Sequence, residues 1–422
     1  MKQVADVVSA MKDEIAGLCQ SLVRISTVNP YSGDRDPAGE TAGQEFLKPL
    51  LEALGAKTAL FDCPDDIYDR TGVLGPRGRN FRGRPNLVGR LDFGGDGPTV
   101  VVNGHMDTVG IDNMPDALSG ELRDGILYGR GTSDCKSGLT VGYSALKALL
   151  QTGADLRGTI IFQSVVDEEC NGGGAGTLAC LNAGYTGDVA VFLDGNNATL
   201  TMGCGGCLTA DVFVEGQEGH AAAGTGVSAI EKGLVVKRAI DAFKARRETE
   251  RPHCKVNLGI FHAGVHPAVV PGAARMSLNI VYDYAEAVAS REQTGIYGGP
   301  QIRAEFEQAI RAVEAGDEWL QGHPSRIEWV KDLIPYDQDP QDQWVRRFDG
   351  AFRAATAREP VYDKMMAWSD AAHPAALFGM PTVLYGPGAE GTAHSSHERV
   401  PVANLVECTE VLATFLLREL GA

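Results

Sequence analysis

The fold class that this sequence predicts is α/β: a mixed, mostly parallel sheet flanked by helices, with a smaller α+β domain inserted. Three observations carry that prediction. Short apolar, β-branched runs alternate with segments of helical period, the pattern of strands joined by crossover helices. Successive runs end in acidic or histidine side chains, and in open α/β sheets ligands gather at the carboxyl ends of strands. Near residue 206 the texture changes to half-buried alternation and changes back near 330. The expected division is therefore 1–206 with 331–422 for the larger domain and 207–330 for the insert.

The elements follow in order. Val4, Val7, Val8, Met11, Ile15, Leu18, Leu22 and Val23 recur at helical spacing over residues 4–25. A second helix follows Glu40-Thr41 and is closed by Gly55. Residues 62–84, rich in Asp, Arg, Gly and Pro, read as a long loop. Residues 86–91 and 99–102 read as adjacent strands joined by a glycine-rich turn. Asp124-Gly125 between apolar pairs signals a hairpin. A helix is expected over 139–150, a buried strand over 159–166 and another over 189–193. In the insert, strands are expected at 208–214, 255–261 and 275–282, with helices over 230–243 and 301–315. From about Val330 a helix-rich segment leads back to the apolar strand 381–385. A helix over 402–420 ends the chain.

Composition excludes several classes. The chain is 44% hydrophobic and 22% charged, as soluble globular proteins are, and its formal net charge is -17. That charge argues against nucleic acid or an anionic membrane as partner and leaves a small-molecule substrate open. No run is long and apolar enough for a bilayer span, and the first residues lack the apolar core of a signal peptide. A cytoplasmic location is the expectation. Nine cysteines, an odd number, fit reduced thiols. The lone Cys204-x-x-Cys207 pair has no second pair to complete a structural zinc site.

Chemistry concentrates in His105, Asp107, Asp134, Glu168, Glu169, Asp194 and His394. Six of these seven fall at strand ends or in the loops just after them. Residues two apart on an extended segment point to one side, so His105 can offer one ring nitrogen to a metal while the Asp107 carboxylate takes the N–H of the other. Two histidines and several carboxylates form an N/O donor set suited to zinc, manganese or cobalt. Adjacent glutamates allow one carboxylate to bind metal while its neighbour takes a proton from water. The glycine cluster 172–176 matches neither phosphate-binding fingerprint and reads as close backbone approach beside the site.

The segments "NGHMDTV", "YGRGTSDCKSG", "DEECNGGGAGT", "FLDG", "EGHAA" and "GTAHSSHE" stand in an order that resembles the co-catalytic zinc aminoacylase and carboxypeptidase family of metallopeptidases. That family includes acetylornithine deacetylase, succinyl-diaminopimelate desuccinylase, carnosine-type dipeptidases and glutamate carboxypeptidases. The resemblance covers nearly the whole chain. It implies one or two divalent metal ions, zinc first, with manganese or cobalt as alternatives. His105 and His394 would each hold one metal, Asp134 would bridge, and Glu169 and Asp194 would be the terminal carboxylate ligands. Glu168 would be the general base and Asp107 the aspartate that orients His105. His220 would donate a hydrogen bond to the oxyanion, often from the partner subunit of a dimer. The insert would be the lid and dimerisation domain, making the protein a homodimer. Asp134–Cys135 would be a candidate cis peptide.

The sequence departs from the family at substrate-facing positions. Ala268 replaces a lid asparagine, Asn279-Ile280-Val281 stands where many members have Asp-x-Arg, and Ser369-Asp370-Ala371-Ala372 stands for Thr-Asp-Ala-Arg. Either neighbours such as Arg275 compensate, or the substrate is not the usual N-acyl amino acid. Trp368, Tyr385 and Tyr282 are candidates for a flatter pocket and equally for core. The expected function is metal-dependent hydrolysis of a small-molecule C–N bond, first the amide of an N-acyl amino acid or dipeptide-like substrate. The alternative is hydrolytic deamination of an activated aromatic amine such as a nitroanthranilate. A third reading, a catalytically silent metal-binding protein, has no use for Glu168.

Overall fold

The computed structural model describes residues 3–422. Its larger sheet has nine strands and is mixed. The order across it is Lys57–Asp62, Pro85–Gly94, Gly158–Val165, Thr99–His105, Val189–Phe192, Thr382–Tyr385, Leu200–Cys204 and Tyr336–Asp337, with Tyr362–Met365 also pairing with Leu200–Cys204. The four strands from Gly158–Val165 to Thr382–Tyr385 run parallel to one another. All eight residues of Gly158–Val165 are buried. Strands covered on both faces lose the alternation of apolar and polar residues, and here Ile160, Ile161 and Phe162 are consecutive and buried.

Helices cover both faces. Lys136–Gln151 and Val402–Leu420 bury Leu139, Leu146, Leu412 and Phe415 in the largest apolar cluster, together with Val100 and Val102 of the sheet. On the opposite face Ala175–Asn182 and Ala372–Phe378 pack Cys180, Ala371 and Ala372 against Val101 and Ile161. Burial at about 25 cal/mol per Å² of apolar surface is the main term holding this layering together.

A separate antiparallel sheet contains Val256–Ala263, Ala273–Tyr282, Gly206–Glu215 and Arg326–Leu333, in that order. It has its own core, in which Val212, Met276 and Ile280 meet Val236, Phe243 and Phe306 of the helices Ala229–Glu250 and Pro300–Glu314. The last strand of this sheet continues to Leu333, past residue 330.

Several local expectations change. The N-terminal helix is two helices, Val4–Ala10 and Lys12–Arg24, because Met11 leaves helical geometry at ψ 0°. Both halves still bury their apolar faces. Residues 62–84 hold a short helix, Ile67–Thr71, with Ile67 and Tyr68 buried. The strands around 86–91 and 99–102 are not neighbours: Gly158–Val165 lies between them, pairing Leu91 on one side and Val100 on the other with Ile160. The glycine-rich turn makes room for it, since a Cβ on Gly97 would lie 2.4 Å from the Arg157 carbonyl oxygen. Residues 207–330 also contain a further helix, Tyr284–Thr294. It opens on a capping box in which Asp283 accepts from the Glu286 N–H, and Glu286 accepts from the Asp283 N–H. Its weak apolar periodicity hid it.

Candidate metal centre

Parallel pairing places the chemistry. His105 is level with Val165, and Asn103 is level with Phe192. The next residues of all three strands, which include Asp107, Glu168, Glu169 and Asp194, therefore emerge at one sheet edge. Asp134 precedes the helix Lys136–Gln151, and its peptide bond to Cys135 is cis, as the resemblance implied. His394 comes from the loop after Thr382–Tyr385, the fourth parallel strand.

Asp134 is central. Its Oδ1 lies 2.8 Å from His105 Nε2 and its Oδ2 lies 3.1 Å from His394 Nε2. Asp194 Oδ1 is 3.8 Å from His105 Nε2, and Glu169 Oε1 is 2.9 Å from His394 Nε2. The cluster thus has two halves sharing one carboxylate: His105 with Asp194, and His394 with Glu169. The Cys135 thiol also approaches the His105 half, but burial pushes its pKa well up, and it faces the Leu193 carbonyl.

His105 is oriented differently from expectation. Its Nδ1 lies 2.9 Å from the backbone carbonyl oxygen of Asp107, while the Asp107 carboxylate is 3.7 Å away. That carboxylate is already occupied. Its Oδ2 accepts from Asn29 Nδ2 at 2.8 Å and from the Glu169 N–H at 3.0 Å, and its Oδ1 accepts from the Glu168 N–H at 3.3 Å. Asp107 therefore holds the turn that carries both glutamates.

The electrostatics fit divalent cations. Burial pushes Glu169 up to about 7, with the Asp134 charge adding to it, and acts in the same way on Asp194, also to about 7. Burial drives Glu168 well above the carboxylate range. Asp134 is buried too, yet the hydrogen bonds from His105 and His394 outweigh that and hold it below the usual range. A single ring nitrogen, His105 Nε2, faces two carboxylates and can give a proton to only one. Buried charges are paired or bind metals, and this N/O set of two imidazoles and three carboxylates suits zinc or a similar ion.

Three supports escaped the sequence reading. Arg79, from the 62–84 loop, donates to Asp167 Oδ1 at 2.6 Å and to the Cys170 carbonyl at 2.6 Å, bridging the ends of the segment that contains Glu168 and Glu169. Asp167, Cys170 and Asn171 have φ of 67°, 55° and 64°. Non-glycine residues there cost about 1 kcal/mol or more each and need the surroundings to hold them. Glu398 Oε1 accepts from the N–H groups of Gly131, Ser133 and Asp134 at 3.0, 2.9 and 3.1 Å, while its Oε2 pairs with Arg130. Asn29 fixes Asp107. Glu398 sat inside a quoted motif and was traceable; Arg79 and Asn29 had no spacing signal.

Glu168, Glu169 and His394 line one open cleft of about 390 Å³, whose walls include Trp368, Val281 and Lys331. Trp368 is thus a cleft residue, whereas Tyr282 and Tyr385 are fully buried core. His220 is exposed, in a two-stranded pairing with Val269, and does not line the cleft. Arg275 does not reach it either: its half-exposed guanidinium pairs with Asp211 at 2.8 Å. Ala268 is exposed, and its carbonyl accepts from the Ala221 N–H beside His220. Asn279 Oδ1 accepts from the Thr209 hydroxyl at 2.6 Å. Ala372 is fully buried at the start of a helix.

Comparison with known proteins shows the fold and the family. The chain is 27% identical over 438 residues to an N-formyl-4-amino-5-aminomethyl-2-methylpyrimidine deformylase of Halalkalibacterium halodurans, covering 96% of this chain and 94% of the relative. Its fold is similar to that of the Saccharomyces cerevisiae dipeptidase Dug1p, with a TM-score of 0.73 at 15% identity, covering 98% and 97% of the two chains. It is also similar to a dinuclear metal binding peptidase from Bacillus subtilis, with a TM-score of 0.62 at 15% identity, covering 97% and 98%. The model for peptidase family M20/M25/M40 matches residues 101–418, and the chain belongs to that family.

Proposed function

We propose that this member of the M20/M25/M40 peptidase family is a metal-dependent hydrolase of the amide bond of small N-acyl amines. The observation that carries the reading is Asp134 standing between His105 and His394, with Asp194 and Glu169 completing the two halves. His105, Asp134 and Asp194 would hold one divalent ion, and His394, Asp134 and Glu169 a second, with zinc first and manganese or cobalt as alternatives. A dinuclear site is what the name of the Bacillus subtilis relative describes for that protein. When bound, such ions polarise the amide carbonyl and lower the pKa of water from 15.7 toward about 7.

Glu168 is the base in this reading. It lines the cleft beside Glu169, and neither histidine is bonded to it. It takes a proton from the attacking water and returns it to the departing amine, a role worth about two to four orders of magnitude. Asp107 and Arg79 position it through the backbone. His220 serves as the oxyanion donor from a second copy in a homodimer, which accounts for its exposure on the insert. Residues 207–330 form the lid and dimerisation domain, and 1–206 with 331–422 the catalytic one. The site of action is the cytoplasm. Among the described residues, no helix is long and apolar enough to cross a membrane.

The name of the Halalkalibacterium relative makes N-formyl aminomethyl heteroaromatics the first substrates to test, followed by N-acyl amino acids and dipeptides. A panel scored for carboxylic acid, amine and ammonia release tests the proposal. Release of an acid and an amine is expected. Free ammonia from an aminobenzoate without any acid would transfer the reading to hydrolytic deamination. A chelator should remove activity, and zinc or manganese should restore it.

A further inference from the structure

The strand Arg326–Leu333 carries a bulge. Trp329 is level with Ala210, but Lys331 is level with Thr209, so Val330 is the extra residue. Trp329 points into the core of the smaller sheet, against Phe306 at 5.6 Å between ring centroids. In an unbroken strand Lys331, two residues on, would point to that same apolar face. The bulge turns it to the opposite face, the one that Val281 and Cys207 present to the cleft. Bulges recur beside active sites because they re-aim a side chain in this way.

Lys331 is only 5% exposed. The titratable groups that act on its charge are Cys207, Arg79, Glu168 and Asp167, and among the described residues none is bonded to its ammonium. A buried charge is costly unless it is paired. The ammonium has three donors and no acceptor, so its partner brings lone pairs, and a charged acceptor binds about twice as strongly as a neutral one. Val281, Leu333, Met366 and Trp368 give the same cleft an apolar wall.

We propose that Lys331 is a specificity-determining residue that selects substrates with an apolar body and an anionic oxygen group, a carboxylate in the simplest case. This deepens the hydrolase reading and rests on it for turnover. N-benzoylglycine and N-benzoylglycinamide differ in that one charge and are the probes. Turnover is measured on metal-loaded enzyme, and binding by calorimetry on the Glu168→Gln protein, each with and without Lys331→Met. Lys331→Met should lower kcat/KM and affinity for the acid by about 10- to 100-fold, mostly through KM, and change those for the neutral amide by no more than about twofold. Lys331→Arg should restore most of the loss. The melting temperature of Lys331→Met should not fall, since an unpaired buried charge has been removed. Wild-type enzyme that cleaves neither probe would count against the hydrolase reading, and calorimetry would still decide the role of Lys331. Equal losses for both probes, no loss for the acid, or indistinguishable binding of the two by the protein with Lys331 intact would overturn the proposal.

Discussion

Glu398 Oε1 lies 3.1 Å from the backbone nitrogen of Asp134 and accepts its N–H. The same oxygen takes the N–H groups of Gly131 and Ser133, so one buried carboxylate fixes the whole approach to the shared aspartate. Its other oxygen pairs with Arg130, and both side chains are almost completely buried. Asp134 is therefore set in place by the backbone behind it as well as by the two imidazoles in front.

Replacing Glu398 should affect both stability and metal binding. Glu398→Ala leaves Arg130 buried without its charged partner, with only the Gly110 carbonyl still accepting from its Nε, and breaking a buried pair in this way typically costs about 3–5 kcal/mol. Denaturant unfolding should show that loss. Glu398→Gln should cost less, yet lower metal affinity by about tenfold or more, as supporting groups behind metal ligands generally do. Unchanged metal affinity in Glu398→Gln would mean that the Gly131–Asp134 segment holds its geometry without the charge.

Arg79 should act on turnover through position alone. It bridges Asp167 and Cys170 around the two glutamates and touches neither carboxylate. Arg79→Ala should lower kcat by about 10- to 100-fold with little change in KM, since small displacements of a reacting group carry penalties of that order. Added guanidinium should restore part of the rate. A loss confined to KM would show that Arg79 contacts substrate instead.

The contribution of His373 to stability should fall in mild acid. Burial lowers its pKa from 6.5 to about 4, and its Nε2 lies 2.8 Å from the Gly173 carbonyl oxygen, to which it donates. Between those two values the unfolded chain binds a proton that the folded protein refuses. Stability from this residue is complete above about pH 6.5 and falls by up to about 1.4 kcal/mol per pH unit until about pH 4. His373→Asn should flatten that part of the pH profile, measured by denaturant unfolding at a series of pH values. An unchanged slope would assign the acid sensitivity to other groups.

Much of this was legible in the sequence for physical reasons. Val100 to Val102 announce a buried strand, and His105 and Asp107 follow at its end, because a strand covered on both faces must be apolar and the site sits at its tip. The terminal helix Val402–Leu420 appeared with its observed bounds, since its apolar period is strong. Strand order was not legible. A glycine-rich turn between two apolar runs looks the same whether the runs pair directly or admit Gly158–Val165 between them. Nor was Lys331. Strict alternation assigns it to the apolar face, and only the one-residue bulge at Val330 reverses that. Long-range supports such as Arg79 are invisible for a similar reason: they depend on a loop folding back across 88 positions to Asp167.

The most direct test of the account is Glu168→Gln, assayed beside the wild type for metal content and for hydrolysis of an N-formyl amine. The account predicts that both proteins bind the same amount of zinc or manganese and that the variant loses at least about 100-fold in kcat. Full activity in the metal-loaded variant would contradict it.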